Sequence, residues 1–185
     1  IEVLMPALAD LGPLPDGADV TAFAVTSGNT LFALGHSATL IDGVVARPRD
    51  LIAWDGASYN VALDGAAFGI PDGVAIDAFA VHPLTGEAWL SFDTHFELAG
   101  VYVRDADVVD LASLGLAFDS AAADIPAGMD VDAVGRLGGT DDVLVSFDVG
   151  GTLGGVGFSD EDVLRYDAAT NSWSLVVDAS AAHPG

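Results

Sequence analysis

Leu14-Pro-Asp-Gly-Ala-Asp-Val-Thr-Ala-Phe-Ala-Val25 returns as Ile70-Pro-Asp-Gly-Val-Ala-Ile-Asp-Ala-Phe-Ala-Val81, with seven of the twelve positions identical. A third copy opens as Ile125-Pro-Ala-Gly-Met-Asp-Val-Asp-Ala-Val134. Pro15, Pro71 and Pro126 stand 56 and 55 residues apart. A fixed period of this length marks a repeat architecture, in which each copy is one supersecondary unit. The chain therefore reads as a single domain, 1–185, made of three repeats at 14–69, 70–124 and 125–185. Residues 1–13 precede them and hold one extra strand around Glu2-Val-Leu-Met5.

Each repeat reads as four short strands, a to d. Strand a covers 20–25, 76–81 and 131–137, and strand b covers 30–34, 87–92 and 143–147. Strand c covers 51–54, 108–111 and 163–166, and strand d covers 59–63, 114–118 and 173–177. These runs are apolar or alternating and end at Gly, Asp, Asn or Pro, as strands do. A Gly-rich loop joins b to c. No window of twelve residues keeps a helical period, and Ala-rich stretches such as 119–124 suffice for one turn only. The expected class is all-β, built of four antiparallel strands per repeat.

Four strands at a ~55-residue period make the blade of a β-propeller. Three blades fall short of the usual minimum of four, so closure calls for a partner chain. Two such chains give six blades. A β-trefoil, or another threefold β fold, closes without a partner and is the alternative. The run Ala179-Ser-Ala-Ala-His-Pro-Gly185 reads as a linker towards a further strand a.

Composition narrows the partners. The 185 residues carry 28 acidic side chains against 5 basic ones, all Arg, for a net charge of −23. The hydrophobic share of 51% is too high for a disordered acidic tail. Phosphate binding needs a basic patch, which argues against nucleic acid and against anionic membrane surfaces. No run of 18 apolar residues occurs, so no membrane insertion is expected. The absence of Cys removes disulfides, thiolate metal sites and a Cys nucleophile. A Lys-free chain with 24 Asp and 4 Glu, starting at Ile1 instead of Met, fits a processed, exported protein of a GC-rich or salt-adapted microbe. An extracellular or cell-surface location follows as an expectation. Self-repulsion at this charge predicts stabilisation by cations or salt.

The loop between b and c carries the most informative pattern. From Phe147 it runs through Asp148, Gly154-Gly155 and Asp160-Glu161-Asp162. From Phe92 it runs through Asp93, Gly100 and Asp105-Ala-Asp107. Phe to the last Asp is fifteen residues in both. The last Asp recurs in every repeat, as Asp50, Asp107 and Asp162. The other two, Asp93 with Asp105 and Asp148 with Asp160, are lost together in the first repeat, to Gly35 and Pro48. Joint loss points to cooperation, and Ca²⁺ gathers six to eight oxygen ligands. The candidate metal ligands are thus Asp148, Asp160, Glu161 and Asp162 in the third repeat, with Asp93, Asp105 and Asp107 in the second. Arg49 offers a guanidinium in place of the ion in the first. The competing reading is turn chemistry, since Asp at a strand end caps turns through the backbone. Asp64, Asp119 and Asp178 close strand d and read as turn residues.

No catalytic residue and no organic cofactor emerges. Asp160, Glu161 and Asp162 resemble the carboxylates of glycoside chemistry in type alone. His36, His82, His95 and His183 have no zinc spacing, and Gly-x-Ser-x-Gly is absent. The Gly-rich run 150–155 leads into a strand and lacks the Lys of a phosphate loop. Trp54, Trp89 and Trp173 fall on three different strand positions, as packing aromatics do, whereas a repeated sugar site would use equivalent ones.

The string Ser146-Phe-Asp148, Leu153-Gly-Gly155-Val, Asp160-Glu-Asp-Val-Leu-Arg-Tyr-Asp167, Trp173 resembles repeats of secreted bacterial propeller-like proteins, often joined to surface-sorting segments. That group has no agreed activity. The resemblance implies export and a β-rich repeat fold, and carries no catalytic residue. The expected function is a secreted or cell-surface binding and assembly module, calcium-stabilised and non-enzymatic. It would pair with itself or another protein chain through sheet edges. The alternative is a carbohydrate-active module, lectin or glycoside hydrolase.

Overall fold

The computed structural model describes residues 11–26, 28–82, 85–137 and 142–182. The extra strand expected before the repeats falls at 1–10, outside the described residues. The chain divides into two compact units, Ile1–Ile76 and Asp77–Gly185.

Each repeat folds into the same antiparallel meander of four strands. The first sheet orders β1 (Val20–Val25), β2 (Thr30–Leu34), β5 (Leu51–Trp54) and β6 (Tyr59–Leu63). The second contains β7 (Ile76–Val81), β8 (Ala88–Phe92), β11 (Val108–Asp110) and β12 (Gly115–Phe118). The third contains β13 (Val131–Arg136), β14 (Val143–Phe147), β17 (Val163–Asp167) and β18 (Ser172–Val177). These are strands a to d of the sequence, shifted by no more than a residue at most ends. Among the described residues no strand pairing joins one meander to another, so each sheet is open.

The b–c loop differs from expectation. In every repeat it is a hairpin of its own: β3 (Ala38–Thr39) with β4 (Val45–Ala46), β9 (Phe96–Leu98) with β10 (Val101–Val103), and β15 (Gly151–Leu153) with β16 (Val156–Phe158). The last two turn on two residues, Ala99-Gly100 (φ 50° and 85°) and Gly154-Gly155 (φ 55° and 85°). Two successive positive φ values match the right-handed twist of a tight hairpin, and glycine takes them without steric cost. Among the described residues helix is confined to single turns, among them a 3₁₀ turn at Gly65–Phe68 and an α turn at Ala179–Ala182. No helix among the described residues is long and apolar enough to cross a membrane.

Each unit has its own core. In the first, Phe32, Leu34, Leu40, Ile52 and Tyr59 pack with Leu11. In the second, Trp89, Val108 and Phe118 of the second sheet pack with Val143, Val145, Phe147 and Leu164 of the third. Leu34, Phe92 and Phe147 end strand b at equivalent positions and are all fully buried. Truncating such a Phe to Ala costs about 3–5 kcal/mol. In β1 and β13 the pairing shifts between Val20 and Ala22 and between Val131 and Ala133. Thr21 and Asp132 are thus bulge residues, left out of the ladder, and a bulge re-aims the side chain it carries.

Candidate functional site

Strand c begins from one device in all three repeats. Asp50, Asp107 and Asp162 are buried. Each accepts on Oδ2 the backbone N–H of the residue three before it, Arg47 at 3.2 Å, Arg104 at 2.9 Å and Ser159 at 2.8 Å. On Oδ1 each accepts the N–H of the second residue beyond strand d, Gly65 at 3.0 Å, Ser120 at 2.8 Å and Ala179 at 2.9 Å. The Ser120 hydroxyl donates to Asp107 as well, at 2.6 Å. Two of the candidate metal ligands, Asp107 and Asp162, therefore have both oxygens engaged by amides. Asp64, Asp119 and Asp178 cap the turns that follow strand d, each accepting from a backbone N–H two or three residues on.

The other candidates lie at the two ends of the b–c hairpin. Asp148 follows β14, accepts the Asp130 N–H at 2.8 Å and donates its own N–H to the Asp130 carbonyl at 3.0 Å. In the first repeat the Gly35 N–H donates to the Asp19 carbonyl at 2.9 Å in the same way. A Cβ at Gly35 would stand 2.8 Å from Asp19 Oδ2, so glycine there leaves room for that carboxylate. Asp160 and Glu161 are exposed beyond β16. A hydrogen bond between their side chains holds the Asp160 carboxyl below its usual range and pushes that of Glu161 up. Asp93 is exposed after β8. Asp105 accepts the Ala106 N–H at 3.0 Å, and its carbonyl accepts the Ser91 hydroxyl at 3.2 Å.

Strand a supplies carboxylates that the loop pattern did not reveal. Burial raises the pKa of Asp132, and Asp148 and Asp160 raise it further. The two aspartates lost together in the first repeat thus act on one group, the bulge residue of β13. That position is Thr21 in the first repeat and Asp77 in the second. Three positions, not two, change between these copies, and the recurrence of Asp77 and Asp132 against Thr21 was the available signal. Asp130 is pushed up to about 6, by burial first and then by Asp105, Asp148 and Asp132. Asp77 is pushed up to about 8, by burial first and then by Asp130. Among the described residues no three Asp, Glu or His side chains are grouped so as to hold a metal ion.

Arg49 does not enter the loop's carboxylate positions. It donates from Nη1 to the Ile70 carbonyl at 2.9 Å and pairs with Asp72 at 2.7 Å, tying the end of the first hairpin to the start of the next repeat. Of the histidines, His36 and His95 are exposed, His82 accepts the Thr85 N–H, and His183 lies outside the described residues. The tryptophans pack: Trp54 on Tyr59 at 4.6 Å, Trp173 on Tyr166 at 4.9 Å, and Trp89 beneath the Arg136 guanidinium at 4.5 Å. No protein-family model matches the chain, and no curated protein matches it.

Proposed function

We propose that the chain is a secreted or cell-surface binding and assembly module, non-enzymatic, whose three meanders serve as propeller-like blades completed by another chain. The observation that carries this reading is β18. It exposes five of its six residues, including Leu175 (38%), Val176 (51%) and Val177 (46%). Its counterpart in the second sheet, β12, exposes none. An apolar edge strand without Lys or Pro is a template for strand pairing, and proteins seldom leave one bare. Sedimentation at micromolar concentration is expected to show a dimer or larger assembly, and Val176→Lys to shift it to monomer. A wild-type monomer would sink the assembly reading.

Calcium belongs to this proposal at the third repeat. Asp148 and Asp160 both push the Asp132 carboxyl up, and a cation bound by the first two would offset that repulsion. A cation that binds the folded state alone stabilises it by mass action. Chelation is expected to lower the Tm, and Asp148→Asn to remove most of that sensitivity. A Tm indifferent to both chelator and added calcium reduces these aspartates to turn chemistry.

A further inference from the structure

We propose that Asp77 is held as the neutral acid and makes the junction between the second and third sheets a proton-gated joint, firm in acid and loosened when the proton leaves. Both carboxylate oxygens of Asp77 are fully buried and no well-formed hydrogen bond reaches them; the Ser91 hydroxyl and the Asp77 and Ala78 amides lie close enough to offset only part of the cost of burial. Ser91 borders the group, but its hydroxyl donates to the Asp105 carbonyl. The charge facing Asp77 is that of Asp130, at the start of β13. Asp105, Asp148 and Asp132 stand behind Asp130 in turn. Two carboxylates brought together in a desolvated place do not both ionise cheaply, and burial pushes Asp77 up to about 8.

The first unit shows what this position does. There the equivalent residue is Thr21, whose hydroxyl donates to the Ile76 carbonyl at 2.6 Å. The Ile76 N–H in turn donates to the Pro48 carbonyl at 2.9 Å. Ile76 is the first residue of the next strand a, so these two bonds fasten one repeat to the start of the following one. In the second unit the counterparts differ at three places. Thr21 becomes Asp77, Pro48 becomes Asp105, and Ala75 becomes Asp130. The Val131 N–H, counterpart of the Ile76 N–H, turns to its neighbour Asp130 at 2.8 Å. A carboxylate at 77 can only accept, whereas a carboxylic acid has the O–H that Thr21 uses. Protonation restores the donor and removes one of two facing charges in a single step.

The sign follows from linkage. A carboxyl whose folded pKa lies above its unfolded value contributes stability that is present in acid and lost as pH rises from about 4 to about 8. The test is thermal unfolding of wild type, Asp77→Asn and Asp77→Thr between pH 5 and pH 9. Both variants are uncharged donors, and Thr is the residue of the first repeat. Relative to wild type, at least one of them should gain Tm at pH 9 and gain little or lose at pH 5. A carboxyl-carbon NMR titration of Asp77 in the wild-type chain provides a readout that needs no variant, with a midpoint above 6 expected. A midpoint near 4, or variants displaced by the same amount at every pH, overturns the proposal. Calcium that raises the wild-type Tm at pH 9 but not that of Asp77→Asn overturns it too, in favour of a metal at these carboxylates.

Discussion

Asp107 and Asp77 are both aspartates withdrawn from water in the second sheet, and they live under opposite terms. Asp107 receives two backbone amides and a hydroxyl. Asp77 receives no hydrogen bond of good geometry and faces another carboxylate. Burial alone does not decide whether a carboxylate helps a fold. The supply of donors does, because an unsatisfied buried group keeps its full desolvation cost.

The widest test of that contrast is Asp107→Ala against Asp77→Ala at pH 8. The first strands three donors and should cost roughly 3–5 kcal/mol in urea unfolding. The second removes a group that no well-formed hydrogen bond holds and should cost far less. Equal losses would break the contrast. Asp162→Ala sharpens it: with two amides and no hydroxyl donor, it should cost about 1 kcal/mol less than Asp107→Ala. Gly35→Ala should cost under about 1 kcal/mol, since its Cβ meets the end of the exposed Asp19 carboxylate, which can swing aside, and Thr21 Cγ2 at 3.2 Å. The smallest effect is expected for Arg104→Ala. Its guanidinium lies 4.0 Å from Asp107 and is 44% exposed, so the change should stay under about 0.5 kcal/mol. A loss as large as that of Asp107→Ala would mean that arginine, not the amides, holds the buried carboxylate.

The meanders were legible because each strand is a short apolar run bracketed by turn residues, and because the bracket repeats. Leu34, Phe92 and Phe147 announce the end of strand b three times over. The β9–β10 and β15–β16 hairpins were hidden in what read as a Gly-rich loop. Their signal is Leu98-Ala-Gly-Val101 and Leu153-Gly-Gly-Val156, a two-residue turn between apolar flanks. The carboxylate site was legible only in part. Aligning repeats compares equivalent positions, and that exposed the joint loss of Asp93 with Asp105 and of Asp148 with Asp160. The groups linked through Asp130 are not equivalent. Asp77 comes from one strand a, Asp105 from a hairpin's far end, and Asp130 from the opening of the next repeat. The path of the chain sets Asp130 between the other two, so that it acts on Asp77 and is itself acted on by Asp105.

The buried aspartate before strand c has a consequence for how such a chain can be stapled without cysteine. One of its oxygens, Oδ1, closes loops of 15, 13 and 17 residues in the three repeats, while Oδ2 holds the turn just before it. A disulfide of that span would restrict the unfolded chain and would need an oxidant, a partner thiol and time to find the right pairing. The carboxylate strap needs none of these. It is blind to thiols, it cannot be mispaired covalently, and it closes whenever the two strand ends arrive together. A chain stapled in this way can unfold and refold in reducing or oxidising surroundings alike and recover the same three loops.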